Sequence, residues 1–246
     1  MEGRPDLFRR AAAEAIGAFV LVFAGCGAIV TEAEHPGALG SLGIALVFGL
    51  AIMAMVYATG HLSGAHLNPA VTLAFTLTRH LPAREAAAYM GAQLLGALAA
   101  AALLLAIWPS EPAALGTTLP TVGAGSAFAY EAILTALLMF TIMAVATDTR
   151  AVGAGAAIAI GGAVGLDALF GGPITGASMN PARSIAPALV TGNLHYLWLY
   201  IAAPILGAAA GALAYQAIRS ESAGRRADES MVDRQIGPST PEGRAG

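Results

Sequence analysis

Lysine is absent from this 246-residue chain, and cysteine occurs once, at Cys26. Charge of either sign is scarce: charged residues make up 11% of the sequence, against roughly 25% in a soluble domain. What there is lies mostly at the ends, because residues 11–218 hold only 12 of the 27 charged side chains. A stretch that long with so little charge cannot present a wetted surface. That excludes a soluble globular enzyme, a nucleic-acid binder and a disordered chain. A single cysteine excludes an internal disulfide and a multi-cysteine metal centre. The first segment does not show the pattern expected of a cleavable leader: Arg9 and Arg10 precede an apolar run too long for a signal core, so it reads as a retained span.

Apolar residues are abundant instead, at 57% of the chain with a mean hydropathy of +0.70. Crossing about 30 Å of hydrocarbon takes about 20 apolar residues in a helix. Six windows qualify, near 11–31, 41–59, 86–107, 127–147, 152–170 and 196–218. Three carry no charge, and the others carry one each: Glu14, Glu131 and Asp167. Alanine and glycine recur at helical spacing, as at Gly207 and Gly211, which suits helices that approach closely in lipid.

Arginine sets the orientation. With six spans, both tails and the 2–3 and 4–5 loops share one side, and they hold Arg4, Arg9, Arg10, Arg79, Arg84, Arg150, Arg219, Arg225, Arg226, Arg234 and Arg244. The positive-inside rule makes that side, and both termini, cytoplasmic. The twelfth arginine, Arg183, lies alone in an otherwise apolar connection. The tail from about Ser220 reads as disordered from its charge, Ser, Gly and Pro content.

Two connections form an internal repeat. One runs from Gly60 to Thr72 and contains Gly64-Ala65-His66-Leu67-Asn68-Pro69-Ala70; the other runs from Gly172 to Ser184 and contains Gly176-Ala177-Ser178-Met179-Asn180-Pro181-Ala182. Glu14 and Glu131 open the first helix of each half, at about 11–110 and 127–218. Three spans per half invert the second copy relative to the first, a known way of building a pathway through a membrane. Asn is a strong helix N-cap and Pro is favoured at the first helical position. Each Asn-Pro therefore starts a helix of about ten residues, about 15 Å long, half the hydrocarbon thickness. Two such half-helices meet N-terminus to N-terminus at the midplane. Irregular backbone at that depth must line a water-filled cavity or be buried in protein. Residues 64–67 and 176–179 are accordingly expected to form an extended ladder of pore-facing carbonyls.

The doubled Asn-Pro-Ala within a six-span repeat resembles the aquaporin or major intrinsic protein family over about residues 8–218. Its wording is most similar to the nodulin-26-like branch and its bacterial relatives. The resemblance implies an all-α membrane protein with six transmembrane helices and two re-entrant half-helices, flanked by tails at 1–10 and 219–246. It implies no enzyme activity and no cofactor or metal. It also implies a homotetramer in a plasma or bacterial inner membrane, with a passive pore that excludes ions and protons. Glu14 and Glu131 are then struts for the re-entrant loops, the alternative being carboxyls that reach the interface. Asn68 and Asn180 donate to passing solute, and the outer constriction comprises Phe48, Ala168, Ala177 and Arg183.

Alanine at 168 gives a wider constriction than the histidine of water-selective members, which extends the expected solutes from water to glycerol, urea or uncharged metalloid hydroxides. The alternative is a narrow water-selective pore. Ser184 favours it, since glycerol-conducting members resemble one another in carrying Asp there. The filter position could also fall on Asp167 or Leu169. Asp167 otherwise contacts the outer vestibule or caps its helix, His66 contributes a backbone carbonyl, and Cys26 faces lipid or a helix contact. Two other classes fit the chain less well. An ion-coupled transporter needs a titratable or ion-binding group at the midplane, and neither half-helix nor the 64–67 and 176–179 runs supplies a carboxylate. A serine hydrolase would need Ser63 within reach of His66.

Overall fold

The computed structural model describes residues 5–147 and 155–219. Arg4, Arg150, Arg225, Arg226, Arg234, Arg244 and the tail from Ser220 lie outside the described residues. Within them the regular structure is helical: α1 Leu7–Glu34, α2 Gly40–Ser63, α3 Pro69–Leu77, α4 Ala83–Ile107, α5 Ala124–Thr147, α6 Ala156–Thr175, α7 Pro181–Thr191 and α8 Leu197–Ile218. Six of these are long and apolar enough to cross a membrane, and α3 and α7 are half-length. A short turn, Pro112–Gly116, follows α4.

The spans run further than the apolar windows. α1 begins at Leu7, where Asp6 accepts a hydrogen bond from the Arg9 amide at 2.8 Å as a side-chain cap. α6 is described from Ala156, residues 152–154 of its apolar window lying outside the described residues, and it continues through Pro173 to Thr175. The proline lies in the last turn, where one missing amide interrupts little of the helix, and Gly176 ends it in the left-handed region at φ 86°.

Packing follows the repeat. α1 crosses α4 where Gly96 meets the backbone of Ala15, and α5 crosses α8 where Gly207 and Gly211 meet Ala132 and Ala136. A methyl group at any of the three glycines would overlap a backbone carbonyl oxygen. α2 and α6 meet at Gly49 and Gly161, where an added Cβ would lie 2.7 Å or 2.6 Å from the opposing carbonyl oxygen. Between helices in lipid, close approach of this kind supplies the van der Waals packing that burial from water supplies elsewhere. At the end carrying both termini, Arg10 of α1 pairs with Glu85 of α4 at 2.7 Å, out of solvent.

These contacts predict that Gly207→Leu abolishes monodisperse protein on size exclusion in detergent. Gly91→Leu, at a site with nothing within 4 Å of an added Cβ, should leave the elution profile unchanged.

Candidate functional site

Both half-helices begin with an Asn-Pro pair. The Asn68 side-chain oxygen accepts from the Ala70 amide at 2.9 Å, and that of Asn180 accepts from Ala182 at 3.0 Å and Arg183 at 3.4 Å. Pro69 and Pro181 occupy the first helical position. The two caps also lock to each other's loops: Asn68 Nδ2 donates to the Met179 carbonyl at 2.7 Å, and Asn180 Nδ2 donates to the Leu67 carbonyl at 2.9 Å. One N–H of each amide is thereby committed and one remains. The two N-termini bring about half an elementary positive charge each to the same point.

The segments leading into the caps are not extended. Gly64, Ala65 and Leu67 have φ of 91°, 47° and 52°, and Gly176, Ala177 and Met179 have φ of 86°, 39° and 52°. A non-glycine residue held there costs about 1–2 kcal/mol. Two buried carboxyl groups hold these turns. Glu14 accepts from the amides of His66 at 2.9 Å and Leu67 at 2.6 Å, from Ser63 Oγ and from Gln93 Nε2. Glu131 accepts from the amides of Ser178 and Met179, both at 2.9 Å, and from Thr175 Oγ1. Both glutamates have no solvent exposure, so neither side chain reaches the interface. The left-handed residues turn consecutive amides toward one carboxyl group, which an extended strand, alternating its amides, would not do.

Sequence reasoning missed several partners. Tyr89 Oη donates to the Ser63 carbonyl at 2.8 Å, and Tyr200 Oη donates to the Thr175 carbonyl at 2.6 Å. Gln93 bridges Glu14 to Thr72 Oγ1. The signal was available: Ser63/Thr175 and Tyr89/Tyr200 are repeat-equivalent pairs of hydroxyl residues in otherwise apolar surroundings.

A cavity of about 60 Å³ runs past the caps, lined among others by Gly64, Ala65, His66, Asn68, Ala177, Ser178, Met179 and Asn180. That exceeds the roughly 10–15 Å³ of accessible space that a single water needs. Leu67 does not line it, because its carbonyl faces Asn180, and Gly176 lines a second, outer cavity of about 310 Å³. Phe48, Ala168 and Arg183 line both cavities and so mark their junction, with Ala177 on the inner side. Arg183 is 2% exposed; its Nη1 donates to the Gly116 carbonyl at 2.7 Å, and its guanidinium lies 5.1 Å from the Phe48 ring centroid. Its Nε has no partner among the described residues. The anchoring carbonyl belongs to a turn in which Ala113, Ala114, Leu115 and Gly116 all have positive φ.

The remaining candidates fall outside the lumen or take other contacts. Asp167 neither caps α6 nor lines the outer cavity: it sits within the helix, 1% exposed, with Oδ2 unpartnered among the described residues. Leu169 faces outward into an apolar groove between α2 and α6. Cys26 is buried against Gly116, a helix-to-turn contact. The Ser63 hydroxyl is committed to Glu14, while His66 Nδ1 lies 3.2 Å from Thr72 Oγ1, so no Ser63–His66 dyad forms. His66 lines the cavity, and its ring stacks 4.6 Å from that of Phe75, another lining residue. Phe75 also meets His80 edge-on at 5.9 Å. His80 lies between α3 and α4, and partial burial, followed by the charge of Arg219, holds its imidazole below the ordinary range.

A sequence profile described as major intrinsic protein matches residues 3–215. The chain belongs to the major intrinsic protein family. Its members are membrane channels, not enzymes, and this chain is a multi-pass membrane protein of that class. It is 48% identical to Aquaporin NIP1-1 of Zea mays over 207 residues, covering 84% of this chain and 73% of the relative. It is 46% identical to Nodulin-26 of Glycine max over 207 residues, covering 84% and 76%. The X-ray structure of the aquaglyceroporin from Plasmodium falciparum superposes with a TM-score of 0.80 at 24% identity, over 87% of this chain and 97% of that one, and shares the fold.

Removing either carboxyl group strands two buried amides, each at a cost of about 1–3 kcal/mol. Glu131→Ala should therefore lower the thermal midpoint in detergent, followed by tryptophan fluorescence, well below that of Glu131→Gln, which keeps one acceptor.

Proposed function

We propose that this channel passes water and small neutral solutes, such as glycerol, urea or uncharged metalloid hydroxides, passively and without ions or protons. The observation that carries the reading is the junction of the two cavities, where Phe48 and Arg183 face a wall formed by the Ala168 methyl group. A small side chain on that wall leaves room for a solute larger than water. Of the five guanidinium donors on Arg183, one is committed to Gly116. With Nε buried, the terminal guanidinium nitrogens carry the donors offered to a hydroxyl-bearing solute, while the fixed charge repels cations. Deeper in, the converging half-helix dipoles and the free N–H on each of Asn68 and Asn180 favour a neutral oxygen and oppose a cation or proton, the exclusion device recognised in aquaporin-type pores.

Ser184 does not argue against breadth. Its hydroxyl lies 2.8 Å from Thr118 Oγ1 and 2.6 Å from Ser178 Oγ, fully buried, so it braces the loop behind the pore rather than touching solute. In this reading Glu14 and Glu131 are the struts of the two loops, and the carbonyls of 64–66 and 177–179 guide solute past the caps. The arginine distribution supports cytoplasmic termini in a plasma or bacterial inner membrane. The exposed apolar faces of the outer helices suit assembly as a homotetramer with one pore per subunit.

Stopped-flow light scattering on proteoliposomes tests the reading, with empty vesicles as the baseline. Water efflux and glycerol influx should both rise, and Ala168→His should cut glycerol by about tenfold or more while water falls by less than about threefold. Water flux with baseline glycerol would identify the narrow water-selective pore instead, and baseline flux of both would overturn the channel reading.

A further inference from the structure

Two consecutive residues on α1, Gly25 and Cys26, back two different parts of the cavity junction, Phe48 and Gly116, without lining either cavity. Gly25 lies under the Phe48 ring so closely that an added methyl would overlap three of its ring atoms. Cys26, with no solvent exposure, lies against Gly116, where an added Cβ would sit 3.0 Å from Cys26 Cβ and 3.1 Å from Sγ. Gly116 has φ of +76° and supplies the carbonyl that holds Arg183. One step along α1 therefore fixes how far the ring withdraws from the lumen, and the next fixes the carbonyl that anchors the guanidinium.

The repeat makes the first point independently. Its symmetry pairs Phe48 with Ile160 and Gly25 with Ile142, and both isoleucines line the inner cavity. In that half two mid-sized side chains share the space; in this half a large ring takes it only because its neighbour has no side chain. The ring borders open volume on the lumen side, so that is the direction in which it yields if the space behind it is filled.

We propose that Gly25 and Cys26 are the positioning residues that set the solute-size limit of this channel, Gly25 by seating Phe48 and Cys26 by seating the Gly116 anchor of Arg183. The proposal rests on the channel reading above, and the experiment separates the two. Wild-type proteoliposomes are measured first for water and glycerol, which tests the channel by itself. Gly25→Ala should then lower the glycerol-to-water flux ratio by about fivefold or more, and adding Phe48→Leu should restore it. A purely structural role would lower both fluxes together and leave the ratio unchanged. If Gly25→Ala yields no folded protein, Cys26→Leu carries the test: it leaves the Phe48 seat intact, displaces the Gly116 carbonyl and should also lower the ratio. A wild-type ratio in Gly25→Ala, or in Cys26→Leu where that variant stands in, overturns the proposal while the wild-type fluxes leave the channel reading standing.

Discussion

Peptide groups taken to the middle of a bilayer outside a helix have no water to bond, and the two loops that open α3 and α7 meet that constraint with a buried glutamate each. Glu14 and Glu131 gather consecutive amides of His66–Leu67 and Ser178–Met179, which goes with left-handed backbone at Gly64, Ala65, Leu67, Gly176, Ala177 and Met179. The hydroxyls of Ser63, Thr175, Tyr89 and Tyr200 close the same networks from neighbouring helices. Once the loops are fixed, the asparagine caps can lock across the repeat, and the half-helices point their N-termini at one place. The glycine crossings of α1 with α4 and α5 with α8 bring the glutamate-bearing helices close enough for this to happen.

The two halves share this scaffold and differ where solute selection is expected. Val71 lines the cavity where its counterpart Arg183 brings a fixed charge. Gln93 braces Glu14 and Thr72 in the first half; in the second, Pro204 holds the equivalent place on α8, and Thr118 braces Ser184 instead. The left-handed turn at 113–116 places the Gly116 carbonyl against Arg183. A chemically plain first half and a charged second half thus arise from one fold.

Much of the architecture was legible in the chain. Six apolar runs, the doubled Asn-Pro-Ala, an intramembrane glutamate in each half and an isolated arginine are local signals whose physics needs no partner. Length against bilayer thickness, capping preference and charge asymmetry each act within a few residues. Less legible were Tyr89, Tyr200 and Gln93, which read as ordinary members of apolar or small-residue helices until the loops are folded against them. Residues 64–67 and 176–179 depart from the extended ladder their sequence suggests for the same reason: their conformation is imposed by the glutamates, not by their own preferences.

The sequence by itself determined the spans, the half-helices, the repeat and membership of the family, because periodicity, capping and apolar length are properties of contiguous residues. Only the tertiary structure decided that Ala168, rather than Asp167 or Leu169, faces the junction, since a one-residue step on a helix turns a side chain by about 100° and no local pattern fixes its phase. It also decided that the Gly116 carbonyl holds Arg183 and that Gly25 makes room for Phe48. Those contacts join residues distant in the chain, and their geometry exists only once the helices have packed.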